Sequence, residues 1–354
     1  MKPEVSLAPT PAQSAGATPL PSGDAPALQR KRRWGLRFFW LLLLASVLVW
    51  ALRNAPLSEI WAVLQKLRGW QIAALLAFNS VILLLITTRW WIILRAENGD
   101  VPILRLFSYR LAAFGLSYFT PGPQVGGEPL QVVYLQNFHR LSYARATASV
   151  ILDKLLEFIA NFLFLVAGMA AVMRVGILAK NGIPLAAGVV PLVAILILPA
   201  LYAGLLYLGF YPLGVALRSV LPRASGASFP RLLVVSERMA AAFTRRHAPA
   251  MAAALAVSLV GCLGLTAEYW LMAHFIGIQL TPWQALAGMT MALLSFLLPI
   301  PAGLGALEAS QVLALGAMGF PPAEAFSLTL LIRGRDVFFA GLGLLIASRR
   351  LGSQ

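Results

Sequence analysis

Apolar run follows apolar run along this chain, at 38–52, 70–88, 147–173, 185–209, 249–278, 283–298 and 326–348. Most are long enough, as helices rising 1.5 Å per residue, to cross roughly 30 Å of hydrocarbon. A water-soluble globule has no use for so many. The residue balance agrees, because 59% of the 354 residues are hydrophobic and only 12% charged, about half the charged fraction of an ordinary soluble domain. The expected fold class is all-α, a polytopic membrane helix bundle occupying residues 34–350 as a single domain. Residues 1–33 are rich in Ala, Pro, Ser and Gly before a basic cluster, and are predicted to form a disordered cytoplasmic tail. A basic stretch ahead of an apolar run also opens a secretory signal. Here a long polar tail precedes the run and no small-residue cleavage site follows it, so a retained first span is expected.

The formal net charge of +15 suggests a nucleic-acid partner until the charges are located. They fall in short clusters between apolar runs, as the positive-inside rule requires, and no nucleic-acid binding is expected. Arg30, Lys31, Arg32 and Arg33, the basic residues from 89 to 110, Arg140, Arg145, the 218–246 loop, Arg349 and Arg350 are assigned to the cytoplasm. Arg53, Lys66, Arg68, Arg174 and Lys180 go outside. Both termini are then expected in the cytoplasm, in a multi-pass protein. The basic loop 212–247 reads either as a loop simply retained in the cytoplasm, the favoured reading, or as an amphipathic helix on anionic lipid. Trp34, Trp70, Trp90, Trp91, Tyr211 and Trp283 sit at run ends, where aromatic rings anchor at the interface. Cys262 is the only cysteine, and His139, His247 and His274 are far apart. Neither a disulfide nor a metal site is expected, and no cofactor is implied.

Two stretches do not read as simple helices. Pro121-Gly-Pro-Gln-Val-Gly-Gly-Glu-Pro129 and Pro299-Ile-Pro-Ala-Gly-Leu-Gly-Ala-Leu-Glu308 each run Pro-x-Pro, then glycines, then a glutamate. Pro121, Gly126, Gly127, Pro299, Pro301, Gly303 and Gly305 are the expected helix breakers, because proline lacks an N–H donor and glycine weakens a helix. Broken backbone at membrane depth survives only against protein or a water-filled cavity, which makes both stretches candidate re-entrant hairpins. Glu128 stands 25 residues before Asp153, and Glu308 25 before Arg333. Three full crossings are expected between the two breaks, and an odd number would make the units an inverted repeat of the kind found in secondary transporters.

Charges also lie inside the apolar runs. Ser149, Asp153, Glu157 and Asn161 recur every four residues and share one helical face, with Lys154 beside them. Thr329, Arg333 and Asp336 line a face of the last run, with Arg335 adjacent, and Glu268 sits within the run 249–278. Such groups turn inward and find partners. A polar cavity is one reading of them, and structural pairs such as Asp153 or Glu157 with Arg333 are the other. Counted this way, Glu128, Asp153, Glu157, Glu268, Glu308 and Asp336 face only Lys154, Arg333 and Arg335. That surplus of acid requires protonation or a bound cation, while the arginines suit a lipid phosphate.

Tyr118-Phe-Thr-Pro-Gly-Pro-Gln-Val-Gly-Gly-Glu-Pro-Leu-Gln131, followed by Ala146-Thr-Ala-Ser-Val-Ile-Leu-Asp-Lys-Leu-Leu-Glu157, resembles the flippase-like family named after the lysylphosphatidylglycerol synthase transmembrane region. The stretch from Pro299 to Glu308 is similar to that family's second characteristic motif. The resemblance implies a multi-span inner-membrane protein that handles or translocates lipids. The family's bifunctional synthases carry a separate soluble domain for aminoacyl transfer. This chain ends at Gln354, directly after its last apolar run, and shows no GxSxG elbow, phosphate-binding loop or metal motif. Enzymatic activity is not expected. The leading expectation is a transporter of a lipid or lipid-linked head group, with membrane lipids as its partners. Gln124, Glu128, Gln131, Asp153, Glu157, Glu308, Arg333 and Asp336 would line the path. The alternatives are an integral-membrane lipid-modifying enzyme using carboxylates such as Glu128 and Asp153, and an accessory subunit of a lipid-synthesis complex.

Overall fold

A computed structural model describes residues 67–97, 99–118, 126–184, 228–298, 300 and 303–351, with a few further positions in 58–65 and 197–210. All of them lie in one compact unit, Trp50–Gln354. The expected tail 1–33, the run 38–52 and most of the run 185–209 lie outside the described residues, as do Pro121, Gln124, Pro299 and Pro301.

Among the described residues the structure is helical, without a strand. Ten helices follow one another: α1 (Gly69–Ala96), α2 (Ile103–Tyr118), α3 (Glu128–His139), α4 (Tyr143–Val175), α5 (Ile177–Lys180), α6 (Ser228–Arg246), α7 (Ala248–Phe275), α8 (Pro282–Leu297), α9 (Ala306–Ala317) and α10 (Pro322–Leu351). Local chemistry sets their ends. At the start of α4 the Ser142 hydroxyl accepts the Arg145 N–H at 3.3 Å, and the helix stops at Gly176, whose φ of 77° suits glycine. Thr281 and Gln284 cap α8 reciprocally, with Pro282 in the first turn.

Three described helices are long and apolar enough to cross a membrane: α1, α4 and α7, of 28, 33 and 28 residues. Their outer surfaces stay apolar, with Val81, Val166, Val260 and Leu263 exposed, which suits lipid rather than water. In length the helices form two matching runs. Those of α1–α4 have 28, 16, 12 and 33 residues, and those of α7–α10 have 28, 16, 12 and 30. A 16-residue helix reaches about 24 Å and a 12-residue one about 18 Å, so neither member of either short pair spans hydrocarbon alone.

α1 lies along α7, α2 packs on α10, and α8 packs on α4. Small residues allow the close approaches. Gly261 and Gly264 of α7 face Ile86 and Ile82 of α1. A Cβ at Gly343 of α10 would strike the Leu111 carbonyl, and one at Gly115 of α2 would strike the Ala340 carbonyl. This is how helices pack where lipid offers no hydrophobic drive for association. Trp90 corrects one expectation: rather than anchoring at the interface, it is fully buried and donates to the Ser149 hydroxyl at 3.3 Å. Its indole N–H needs a partner once buried, and Ser149 supplies one.

The α2–α10 crossing makes a prediction. Gly343→Ala should destabilise the bundle by about 1–3 kcal/mol, since the added methyl meets rigid backbone. Gly341→Ala, two residues away with open space around its Cα, should be neutral or slightly stabilising. Thermal unfolding of the two variants in detergent separates these outcomes.

Candidate functional site

The charged residues of the spans gather into two clusters around one cavity. In the first, Arg89 of α1 reaches Asp153 of α4 with two nitrogens, at 2.7 and 3.1 Å, and Glu157 at 2.9 Å. Arg110 of α2 meets the other side of Asp153 at 2.6 Å and stands 4.0 Å from Glu157. Lys154 bridges Glu157 at 2.9 Å and Glu128, the first residue of α3, at 3.2 Å. Three cations therefore close on three carboxylates.

In the second cluster, Arg333 of α10 grips both oxygens of Glu308 at 2.6 and 2.9 Å and reaches the Gly303 carbonyl at 3.2 Å. It also bonds the Tyr118 hydroxyl at the end of α2. Arg335 serves two acids, donating to Glu268 of α7 at 2.6 Å and to Asp336 at 3.0 and 2.8 Å. Asn79 of α1 donates to the same Glu268 oxygen at 2.8 Å.

Both glutamates of the broken stretches work alike. Glu128 accepts the Gly126 N–H at 2.7 Å, and Glu308 accepts the Gly305 N–H at 2.9 Å. Each lies in the first turn of a 12-residue helix, where a carboxylate satisfies an orphan N–H and opposes the positive end of the helix dipole. A cation from the following long helix then holds it. Lys154 sits as far into α4 as Arg333 does into α10, and the same holds for Glu157 and Asp336, and for Arg89 in α1 and Glu268 in α7.

The glycines of the two breaks act differently from one another. Gly126, Gly303 and Gly305 have φ of 155°, 60° and 79°, which side-chain-bearing residues rarely adopt. Expected only to break a helix, Gly127 has an ordinary φ of −90°. Glycine is required there because a Cβ would run into the backbone of Ala113.

Between the clusters lies a cavity of about 240 Å³. Glu128, Gln131, Lys154, Glu157 and Arg110 border it from one side, and Asn79, Arg335 and Asp336 from the other. Phe114, Leu265, Met289, Leu293 and Phe339 give it apolar walls. Of the residues expected along the path, Glu128, Gln131, Glu157 and Asp336 reach this space. Asp153 is buried behind Arg89 and Arg110, and Glu308 and Arg333 pair with each other.

Three sequence expectations are corrected. Arg89 and Arg110, assigned to the cytoplasm as loop charges, belong to helices and supply the first cluster's cations; Arg89 is 2% exposed. Asp153 and Glu157 accordingly pair with Arg89, Arg110 and Lys154 instead of Arg333. The six acids thus face five cations rather than three, and the surplus shrinks to a single carboxylate. A signal was available for Arg89: it continues the apolar run 70–88 without a turn residue, so the helix that carries it had no reason to stop before it.

Among the described residues no group of His, Cys, Asp and Glu is placed to hold a metal ion. The clusters predict a stability effect. Arg89→Ala removes one of the two guanidinium groups on buried Asp153 and a partner of Glu157, and should cost about 3–5 kcal/mol, the range for breaking a buried pair. Lys154→Ala, whose side chain is 23% exposed, should cost clearly less. Thermal unfolding in detergent ranks the two.

Comparison with known proteins places this architecture. The chain is 33% identical over 100 residues to a UPF0104 membrane protein of Methanothermobacter thermautotrophicus, a match covering 28% of this chain and 30% of that protein. No solved structure matches. The profile of the lysylphosphatidylglycerol synthase TM region matches residues 37–343, nearly the whole of the helical bundle, and the chain belongs to that family.

Proposed function

We propose that the protein moves a lipid head group between the leaflets of a bacterial inner membrane, with no covalent chemistry of its own. The observation that carries this reading is the cavity of about 240 Å³, bordered by charged groups inside a bundle whose outer face is apolar. A head group needs polar contacts at membrane depth while its acyl chains remain in lipid, and this arrangement offers both. Membership of a lipid-related membrane family supports it.

Arg110 is the group best suited to read an anionic head group. It spends one nitrogen on Asp153 at 2.6 Å, its contact with Glu157 is long, and its Nε is buried without a hydrogen-bond partner. A guanidinium so placed has a donor to offer a phosphate oxygen. Gln131 and Lys154 add further donors on the same wall. The remaining members of the path, Glu308 and Arg333, would hold α9 in place beside it.

The matching lengths and registers of α1–α4 and α7–α10 support the inverted repeat, with α2–α3 and α8–α9 as its two re-entrant hairpins. Alternating access would then follow from one run tilting against the other. At the cytoplasmic face, α6 turns Ala240, Ala241 and Phe243 inward and leaves Arg238, Arg245 and Arg246 exposed. That pattern suits contact with anionic lipid.

Reconstitution in liposomes with a fluorescent anionic phospholipid tests the reading. The wild-type chain should speed movement of the labelled lipid between leaflets, and Arg110→Gln should slow it at least tenfold, about 1.4 kcal/mol or more of lost interaction. A chain that leaves the label where it was, or that alters it covalently, would sink the proposal.

A further inference from the structure

Pairing the charges one by one shows where the remaining acid lies. Arg89, Arg110 and Lys154 close on Asp153, Glu157 and Glu128, and Arg333 closes on Glu308. Among the six acids and five cations of the two clusters, only the group around Arg335 is out of balance, with one guanidinium serving two carboxylates, Glu268 and Asp336. Within that group the burden falls on Glu268. Its side chain is wholly buried at 0% exposure, and both of its donors, Asn79 and Arg335, bond to the same oxygen, Oε2. The other oxygen, Oε1, is buried and has no hydrogen-bond partner.

A buried carboxylate oxygen with no donor is costly, and binding a proton relieves it directly. We infer that Glu268 is a proton-binding site, with Oε1 as the atom that takes the proton. A hydronium reaching the cavity gives up its proton, an O–H bond forms at Oε1, and a water molecule is left. The cluster of Arg335, Asp336 and Glu268 passes from one negative charge in excess to neutral. The route is short, because Asn79, Arg335 and Asp336 themselves border the cavity.

The surroundings leave few competitors for this role. Of the helices against α7, α10 brings Arg335 and Asp336, and α1 brings Asn79, with its Arg89 turned to Ser258 and to the carboxylates of α4. The acids of α4, Asp153 and Glu157, and its Lys154 are closed among themselves and with Arg89, Arg110 and Glu128. α8 carries no charged residue. α6 carries the buried Glu237, which accepts the Tyr202 O–H at 3.0 Å, and meets α7 near its start, through Ala240 and Phe243 against Ala254. In the translocation reading, on which this last step rests, the bound proton is the coupling ion: it changes the charge on one wall of the head-group cavity.

Infrared difference spectroscopy on the purified full chain in lipid nanodiscs, followed through a pH titration, reads protonated carboxyl groups by their C=O stretch. A titrating band that shifts in D2O is expected in the wild type, lost in Glu268→Gln and restored at a changed frequency in Glu268→Asp. Absence of any titrating carboxyl band overturns the inference, as does a band unaltered in either variant. So does a band that follows sodium, exchanged against choline at fixed pH, instead of pH. The spectrum is independent of transport: a Glu268 band in a chain that moves no lipid fails only the translocation reading, whereas lipid movement without the band fails only this one.

Discussion

Arg89 carries a charge on a side chain that is only 2% exposed. Its guanidinium sits between two helices that face hydrocarbon, and isolation there would cost several kcal/mol. The fold answers by bringing Asp153, Glu157 and Ser258 to it from two other helices. Once Asp153 is so placed, it has room for a second guanidinium, and Arg110 brings α2 to the same point. Four helices are thereby fixed by one side chain's need. The cavity follows as the space these polar groups leave between them.

The broken stretches solve a related problem. The first turn of a helix has N–H groups without intrahelical acceptors, and those of α3 and α9 follow directly on the two broken stretches. Glu128 and Glu308 satisfy part of that need from within their own helix, and a lysine and an arginine then neutralise the carboxylates. Each unusual backbone feature is tied to a charge pair that would be expensive to break. The polar interior is in part a consequence of the broken helices.

Much of this was legible in the residues. Apolar runs locate α1, α4, α7, α8 and α10, and the Pro-Gly clusters locate the two breaks, because hydropathy and backbone restriction are local properties. The four-residue recurrence of Asp153 and Glu157 identified a polar face correctly. Its partners were not legible. Arg89 stands at the edge of an apolar run and Arg110 near a cluster of others, where counting charges by segment assigns them to a loop. Only the packing of α1 and α2 on α4 reveals that their guanidinium groups turn inward. Gly127 was legible as a special position but not for its reason, since contact with Ala113 depends on how α2 and α3 meet.

One regularity of the ion pairs has a mechanical meaning. Among the described residues each pair joins members of the same four-helix run, either α1–α4 or α7–α10. Across the seam between α1 and α7, the charged groups Arg89 and Glu268 meet the neutral side chains of Ser258 and Asn79. Sliding along that seam pulls no cation away from its counter-anion, so the electrostatic work of displacement is small. What resists it is steric friction, where Ile82 and Ile86 of α1 sit against Gly264 and Gly261 of α7.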